Sequence, residues 1–187
     1  MQFPIRYQAA LALAEHASLL KNRQWPSPFF PVHHHAEQMA AEAMRLQMDS
    51  SAVMAAILHD LVLMTPMTLD EIERIAGHET ADLIQSMTPD TRVLGNPDQF
   101  DVIDYTAHIA RCNATIQTLV LMDWVQTASF VGTTSPTQAL AFQLHLQSVA
   151  QALPEVPSPL RERATLIGNW LERRLYEKKV AQYNFAP

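Results

Sequence analysis

The chain has 187 residues, 48% of them hydrophobic, with a formal net charge of −6 and a single cysteine. This length suits one filled core and leaves little room for two domains. The acidic balance argues against binding to a nucleic-acid backbone. Cys112 alone excludes an internal disulfide framework and is typical of a reducing compartment. With no convincing signal peptide and no membrane-spanning run, we predict one cytoplasmic domain over residues 1–187.

Few glycines and many Ala, Leu, Met and Gln residues predict an all-α protein. A first helix is expected over residues 5–21, ending at the segment KNRQWPSPFFP, because proline removes a donor and restricts its predecessor. A second helix should run from His33 to about Gln47. Asp49 or Ser50 then caps a third helix, SAVMAAILHDLVLM, which is apolar on nearly every side. This third helix should therefore be central and buried.

The clearest local signal in the sequence is the segment TLDEIERIAG. Thr68 and Glu71 form a capping box, and Gly77 suits the C-terminal stop. A short helix follows in HETADLIQSM, and residues 90–99 are predicted to form a surface loop. Later helices are expected at about 100–112 and 114–130 and after the Ser-Pro pairs of SPTQALAF and PSPLRERA. The predicted architecture is a bundle of about eight or nine helices.

Four residues on three of these predicted helices point to metal chemistry: His35, the dyad His59-Asp60, and Asp123. The dyad lies between AAIL and LVLM, and Asp123 lies within LVLMDWV, so these side chains should be buried. Burying an unpaired carboxylate is costly, and the dyad helix offers no nearby Lys or Arg. One divalent cation would satisfy both imidazoles and both carboxylates, and such an ion can activate water. The alternative is a satisfied polar core without metal.

His33 and His34 stand next to His35 and invite inclusion in the same site. Neighbouring residues on a helix point about 100° apart, so the three imidazoles cannot all face one ion. We interpret His33 and His34 as polar residues at the junction of a loop and a helix.

The four residues resemble the H…HD…D signature of HD-domain phosphohydrolases, in particular the (p)ppGpp hydrolase domains of the RelA/SpoT stringent-response enzymes and their small stand-alone relatives. AAILHDLV resembles that family's AALLHDVV, and TLDEIERIAGHETADLIQSMT resembles its T-x-E-E-I-x-x-x-F-G-x-E-V-A-x-L-V-x-x-V-T. The resemblance covers about residues 5–130. It implies an all-α HD-domain helical bundle, with residues 131–187 as additional C-terminal helices.

The resemblance also implies a site and an activity. His35, His59, Asp60 and Asp123 would bind one divalent ion, Mn²⁺ by family expectation, with Fe²⁺, Ni²⁺, Zn²⁺ or Mg²⁺ as alternatives. His59 and Asp60 would be the catalytic residues, and Arg23, in the loop before His35, would meet the base of the substrate. The implied activity is hydrolysis of a nucleotide or related phosphate ester, such as (p)ppGpp, by a metal-activated water. The implied partner is thus a small phosphorylated molecule, with no nucleic acid and no membrane.

The sequence departs from the family around this signature. Leu63 and Met64 replace a Glu-Asp pair that orients and deprotonates the attacking water, an assistance that typically contributes about 10²- to 10⁴-fold in rate. Val120, Trp124 and Thr127 replace a lysine, an arginine-like position and a nucleotide-contacting asparagine. Candidate replacements for the missing carboxylates are Glu37, Asp90, Asp98, Asp101 and Asp104. The alternative function is therefore a degenerate HD domain that binds a nucleotide or a protein partner without turnover.

Overall fold

The computed structural model describes residues 4–19, 32–88, 102–131 and 136–184. Within these ranges the chain forms nine helices and no strand, which confirms the predicted all-α bundle. The helices are α1 (Ile5–Leu19), α2 (Val32–Arg45), α3 (Ser50–Met64), α4 (Leu69–Ala76), α5 (His78–Met87), α6 (Val102–Ile109), α7 (Ala114–Val131), α8 (Pro136–Ala152) and α9 (Ser158–Asn184).

The predicted caps fix the ends of the short helices. The Asp49 carboxylate accepts a hydrogen bond from the backbone N–H of Ala52 at 2.8 Å and so begins α3. At the start of α4 the Thr68 hydroxyl accepts from the Glu71 N–H at 3.3 Å, and the Glu71 carboxylate accepts from the Thr68 N–H at 2.8 Å. Gly77 ends α4 with a φ of 91°, a conformation that favours glycine. The capping box and the stop are therefore confirmed.

α3 is the central helix, as its apolar sequence predicts. It packs against α1, α2, α4, α5 and α7, which leaves most of its side chains buried. A helix that is apolar all round is stable only when such neighbours surround it. Because α2 and α7 are among those neighbours, residues from two parts of the chain that are distant in sequence meet beside α3.

The C-terminal helices are joined to the rest of the bundle by buried polar side chains. Gln117 on α7 donates to the carbonyls of Ala110 (3.2 Å) and Cys112 (2.8 Å), and its own carbonyl accepts from the Glu155 N–H (3.1 Å). One side chain therefore joins the α6–α7 turn to the α8–α9 turn. No helix in the described part of the chain is long and apolar enough to cross a bilayer.

An ion cluster connects α9 to α2. Glu42 is buried, and its carboxylate accepts two hydrogen bonds from the Arg45 guanidinium, at 2.7 and 3.0 Å. Arg163 from α9 lies with its Nη1 3.4 Å from Oε2 of this carboxylate. The hydrogen bonds from Arg45, together with the charges of both arginines, hold the pKa of Glu42 below its usual value despite burial. The cluster thus joins helices that are more than a hundred positions apart in sequence.

Candidate metal centre

Helices α2, α3 and α7 bring the four predicted residues together. His35, His59 and Asp60 are buried, whereas the Asp123 side chain is 33% exposed. The Nε2 of His35 lies 3.1 Å from Oδ1 of Asp123, and the Nε2 of His59 lies 3.8 Å from the same oxygen. Asp60 approaches both imidazoles, at 3.5 Å from His59 Nε2 and 3.9 Å from His35 Nε2. Only the Asp123 corner of the cluster is substantially open to solvent.

These distances fit a shared divalent ion. His35, His59 and Asp123 each offer a ligand atom, and the three atoms lie within 4.8 Å of one another. Nitrogen and oxygen ligands bind Zn²⁺ at about 2.0–2.2 Å, so two ligands of one such ion lie no more than about 4.4 Å apart. The distances from Asp123 Oδ1 to His35 Nε2 and His59 Nε2, 3.1 and 3.8 Å, are within this limit. Asp60 falls outside the three-residue set but lies within 4 Å of both imidazoles. Two imidazoles and two carboxylates are also a suitable donor set for Mn²⁺, Fe²⁺ or Zn²⁺.

The backbone of α3 orients His59. A carbonyl only accepts hydrogen bonds, so Nδ1 of His59 donates to the Ala56 carbonyl at 3.0 Å. The proton of the neutral imidazole is thereby held at Nδ1, and Nε2 presents its lone pair to the cluster. This Nε2 is buried and has no hydrogen-bond partner among the described residues. A buried nitrogen in this state is suited to bind a cation.

The electrostatics of the cluster favour a positive charge at its centre. Burial lowers the pKa of His59, but the nearby negative charges of Asp60 and Asp123 outweigh burial and raise that pKa to about 9. Burial would raise the pKa of Asp123, yet its contacts with the His35 and His59 imidazoles hold that pKa well below its usual range. The Asp123 carboxylate therefore stays ionised and attracts either a proton on an imidazole or a cation.

Two further residues contact or approach Asp123. The Thr127 hydroxyl, one helical turn later on α7, donates to Oδ1 of Asp123 at 3.2 Å. The Tyr105 hydroxyl donates to the Met87 carbonyl at 2.6 Å, and burial first, then the charge of Asp123, raises the pKa of that phenol. Sequence reasoning treated Thr127 only as a departure from the family. The spacing of four between Asp123 and Thr127 was the signal for this hydrogen bond.

The other candidate residues are exposed or lie outside the described residues. His33 and His34 are exposed, and His34 contacts Gln38 (3.0 Å) and Glu37 (3.8 Å) on the outer face of α2. Glu37 and Asp104 are likewise exposed. The remaining candidates, Arg23, Asp90, Asp98 and Asp101, lie outside the described residues.

Leu63, one of the two departures at the dyad, lies on the surface of α3 that holds His59. Leu63 follows His59 by one helical turn, and it is half-buried without packing against the hydrophobic core. Nothing is described of the Met64 side chain. On α7, Val120 is buried, and the half-buried Trp124 packs against Phe142 with ring centroids 5.0 Å apart. Apolar side chains thus occupy the positions where the family has charged ones.

Comparisons with known proteins agree with this geometry. Residues 10–97, which include His35, His59 and Asp60, match the HD domain family. A structure described as "A metazoan ortholog of SpoT hydrolyzes ppGpp and plays a role in starvation responses" superposes with a TM-score of 0.75, at 17% identity, over 91% of this chain and 98% of that one. The protein lmo0812 from Listeria monocytogenes EGD-e superposes with a TM-score of 0.58, at 20% identity, over 79% and 99% of the two chains.

No curated protein sequence matches the chain. The two superposing structures are less than 25% identical to this chain, so they show a shared fold only. The match to the HD domain family covers the part of the chain that contains the His-Asp dyad. Residues 10–97 therefore resemble an HD domain, and the chain shares its fold with the two solved structures.

Proposed function

We propose that the protein is a metal-dependent phosphohydrolase that acts on a nucleotide or a related phosphate ester. The observation that carries the proposal is the convergence of ligand atoms from His35, His59 and Asp123 within 4.8 Å of one another, with Asp60 beside both imidazoles. The buried Nε2 of His59, which has no hydrogen-bond partner in the described chain, supports it. A merely structural cluster would be expected to pair such an atom.

In this proposal His35, His59, Asp60 and Asp123 hold one divalent ion, for which Mn²⁺ is the first candidate. When bound, such an ion lowers the pKa of a water and draws charge from a phosphoryl oxygen. The buried dyad fixes one side of the site, and the Ala56 carbonyl keeps the His59 ring in place. The partly exposed Asp123 marks the side from which water and substrate enter.

The proposed substrate class rests on the HD domain and on the fold. The superposing metazoan protein is described as hydrolysing ppGpp, so (p)ppGpp is the specific candidate to test first. A net charge of −6 does not oppose a small anionic substrate, because the cation itself supplies local positive charge. Arg23 remains the predicted contact to the base.

A second function is favoured by one specific observation. The half-buried Leu63 stands one turn after His59, where the family has a carboxylate that handles the attacking water, and Glu37 points to the outer face of α2. A domain with this set of side chains could bind a nucleotide without turnover. Loss of general acid–base assistance slows hydrolysis by about 10²- to 10⁴-fold without abolishing it. The two functions therefore differ in the rate of hydrolysis, whereas both require the nucleotide to bind.

The test is a turnover assay on the metal-loaded protein. Protein purified without a His-tag is loaded with Mn²⁺ and incubated with a panel of nucleotides that includes (p)ppGpp, and released phosphate and pyrophosphate are measured. Turnover that is lost in His59→Ala and Asp60→Ala, but kept in the exposed control His34→Ala, supports the enzyme. Measurable nucleotide binding with no turnover across the panel favours the binding domain. Neither binding nor turnover refutes both functions.

A further inference from the structure

Thr127 makes a hydrogen bond that is unusual for a threonine inside a helix. Such hydroxyls commonly donate to the backbone carbonyl four residues earlier. Thr80, Ser86 and Thr118 do this here, at 3.1, 2.8 and 2.7 Å. Thr127 donates instead to the side chain of the residue four positions earlier, the carboxylate of Asp123, at 3.2 Å.

The oxygen that accepts this hydrogen bond is the central atom of the cluster. Oδ1 of Asp123 lies 3.1 Å from His35 Nε2 and 3.8 Å from His59 Nε2. Asp123 is the most exposed of the four candidate ligands, and an exposed carboxylate can turn about its side-chain bonds. Thr127, in contrast, is buried, with 8% of its surface exposed. A buried hydroxyl therefore contacts the one candidate ligand whose side chain is partly open to solvent.

We propose that Thr127 is a positioning residue for cation binding. It acts through Asp123, by holding Oδ1 toward the two imidazoles, and it does not itself bind the ion. The inference rests on the proposed metal site and adds to it a residue outside the four predicted ligands. Partners of this kind fix the orientation of a ligand before the metal arrives, and their loss typically weakens metal affinity by about 10- to 100-fold.

The chain offers a matched control for the test. Thr127→Val removes the hydroxyl with little change in volume, and Thr118→Val makes the same substitution on the same helix. Thr118 is similarly buried, but its hydroxyl donates to the Ala114 carbonyl and not to Asp123. Thr127→Ser keeps a hydroxyl and should restore the hydrogen bond. Thr127→Ala is measured beside Thr127→Val, so that a misfolded valine variant does not end the test.

The measurement is the dissociation constant of Mn²⁺, obtained by competition with a chelator of known affinity, with folding checked by circular dichroism. We expect Thr127→Val and Thr127→Ala to bind Mn²⁺ at least about 10-fold more weakly, and Thr127→Ser and Thr118→Val to stay close to the unchanged protein. Equal affinity in Thr127→Val, or an equal loss in Thr118→Val, overturns the positioning role and leaves the metal site standing. An unchanged protein that binds no divalent ion overturns both proposals.

Discussion

Removal of the cation should lower the melting temperature of the protein. The proposed ligands come from α2, α3 and α7, and their positions in the sequence run from His35 to Asp123. An unfolded chain does not hold such distant donors together, so the ion stabilises the folded state only. The perturbation is dialysis of Mn²⁺-loaded protein, purified without a His-tag, against excess EDTA.

The size of the shift follows from linkage. A free ion at a hundred times its dissociation constant stabilises the folded state by about 2.7 kcal/mol. A chain of this length shifts its melting temperature by roughly 2–4 °C for each kcal/mol. The chelated protein should therefore melt roughly 5–11 °C lower. It should remain folded below that point, because the hydrophobic core extends from α1 to α9.

Calorimetric or fluorescence melting curves, with elemental analysis of the same samples, measure this shift. His34→Ala should keep it, because that imidazole is exposed on the outer face of α2, whereas His35→Ala should lose it. Asp60→Ala and Asp123→Ala should lose stoichiometric metal. An unchanged melting curve in protein whose metal content has fallen refutes the reasoning. That result favours a satisfied polar core.

Three further predictions concern charge. In the chelated protein, the raised pKa of His59 should stabilise the folded state fully below about pH 6.5, and this contribution should be lost as the pH rises through about 9. A free energy of unfolding that stays constant between these pH values contradicts the pairing of His59 with Asp60 and Asp123. Glu42→Gln should lower the free energy of unfolding, measured in urea, by about 2 kcal/mol, because charged hydrogen bonds are lost. Arg163→Met should lower it by less than about 1 kcal/mol, because that side chain is 43% exposed. Leu63→Glu combined with Met64→Asp should fold and raise (p)ppGpp hydrolysis by up to about 10²-fold. A misfolded double variant would show that Leu63 belongs to the core.

Local features of the fold were predictable because their causes lie close together in sequence. The capping box of Thr68 and Glu71 and the stop at Gly77 depend on residues within one or two turns. The apolar residues that flank His59 and Asp60 in sequence likewise predict a buried dyad, and both side chains are buried in the structure. The ends of helices are predicted less accurately. The second helix ends at Arg45 and not at the expected Gln47, because Gln47 has a φ of 57°, which is incompatible with a continued helix.

Long-range contacts were not predictable from pattern alone. Nothing in the local sequence pairs Glu42 with Arg163, since the contact exists only once α9 packs near α2. The hydrogen bond between Thr127 and Asp123 is local, but comparison with the family motif identifies Thr127 only as a departure and does not predict this contact. The prediction for Arg23 stays a prediction, because that residue lies outside the described part of the chain.

The distribution of the cluster over α2, α3 and α7 has a consequence for folding kinetics. The His-Asp dyad and His35 sit on consecutive helices, but Asp123 arrives only when a loop from α3 to α7 has closed. Closure of long loops is slow because chain entropy must be lost before any contact compensates it. We therefore expect the complete set of ligands to form late in folding. Bound metal should then act mainly on the unfolding rate, as a kinetic lock on the folded chain.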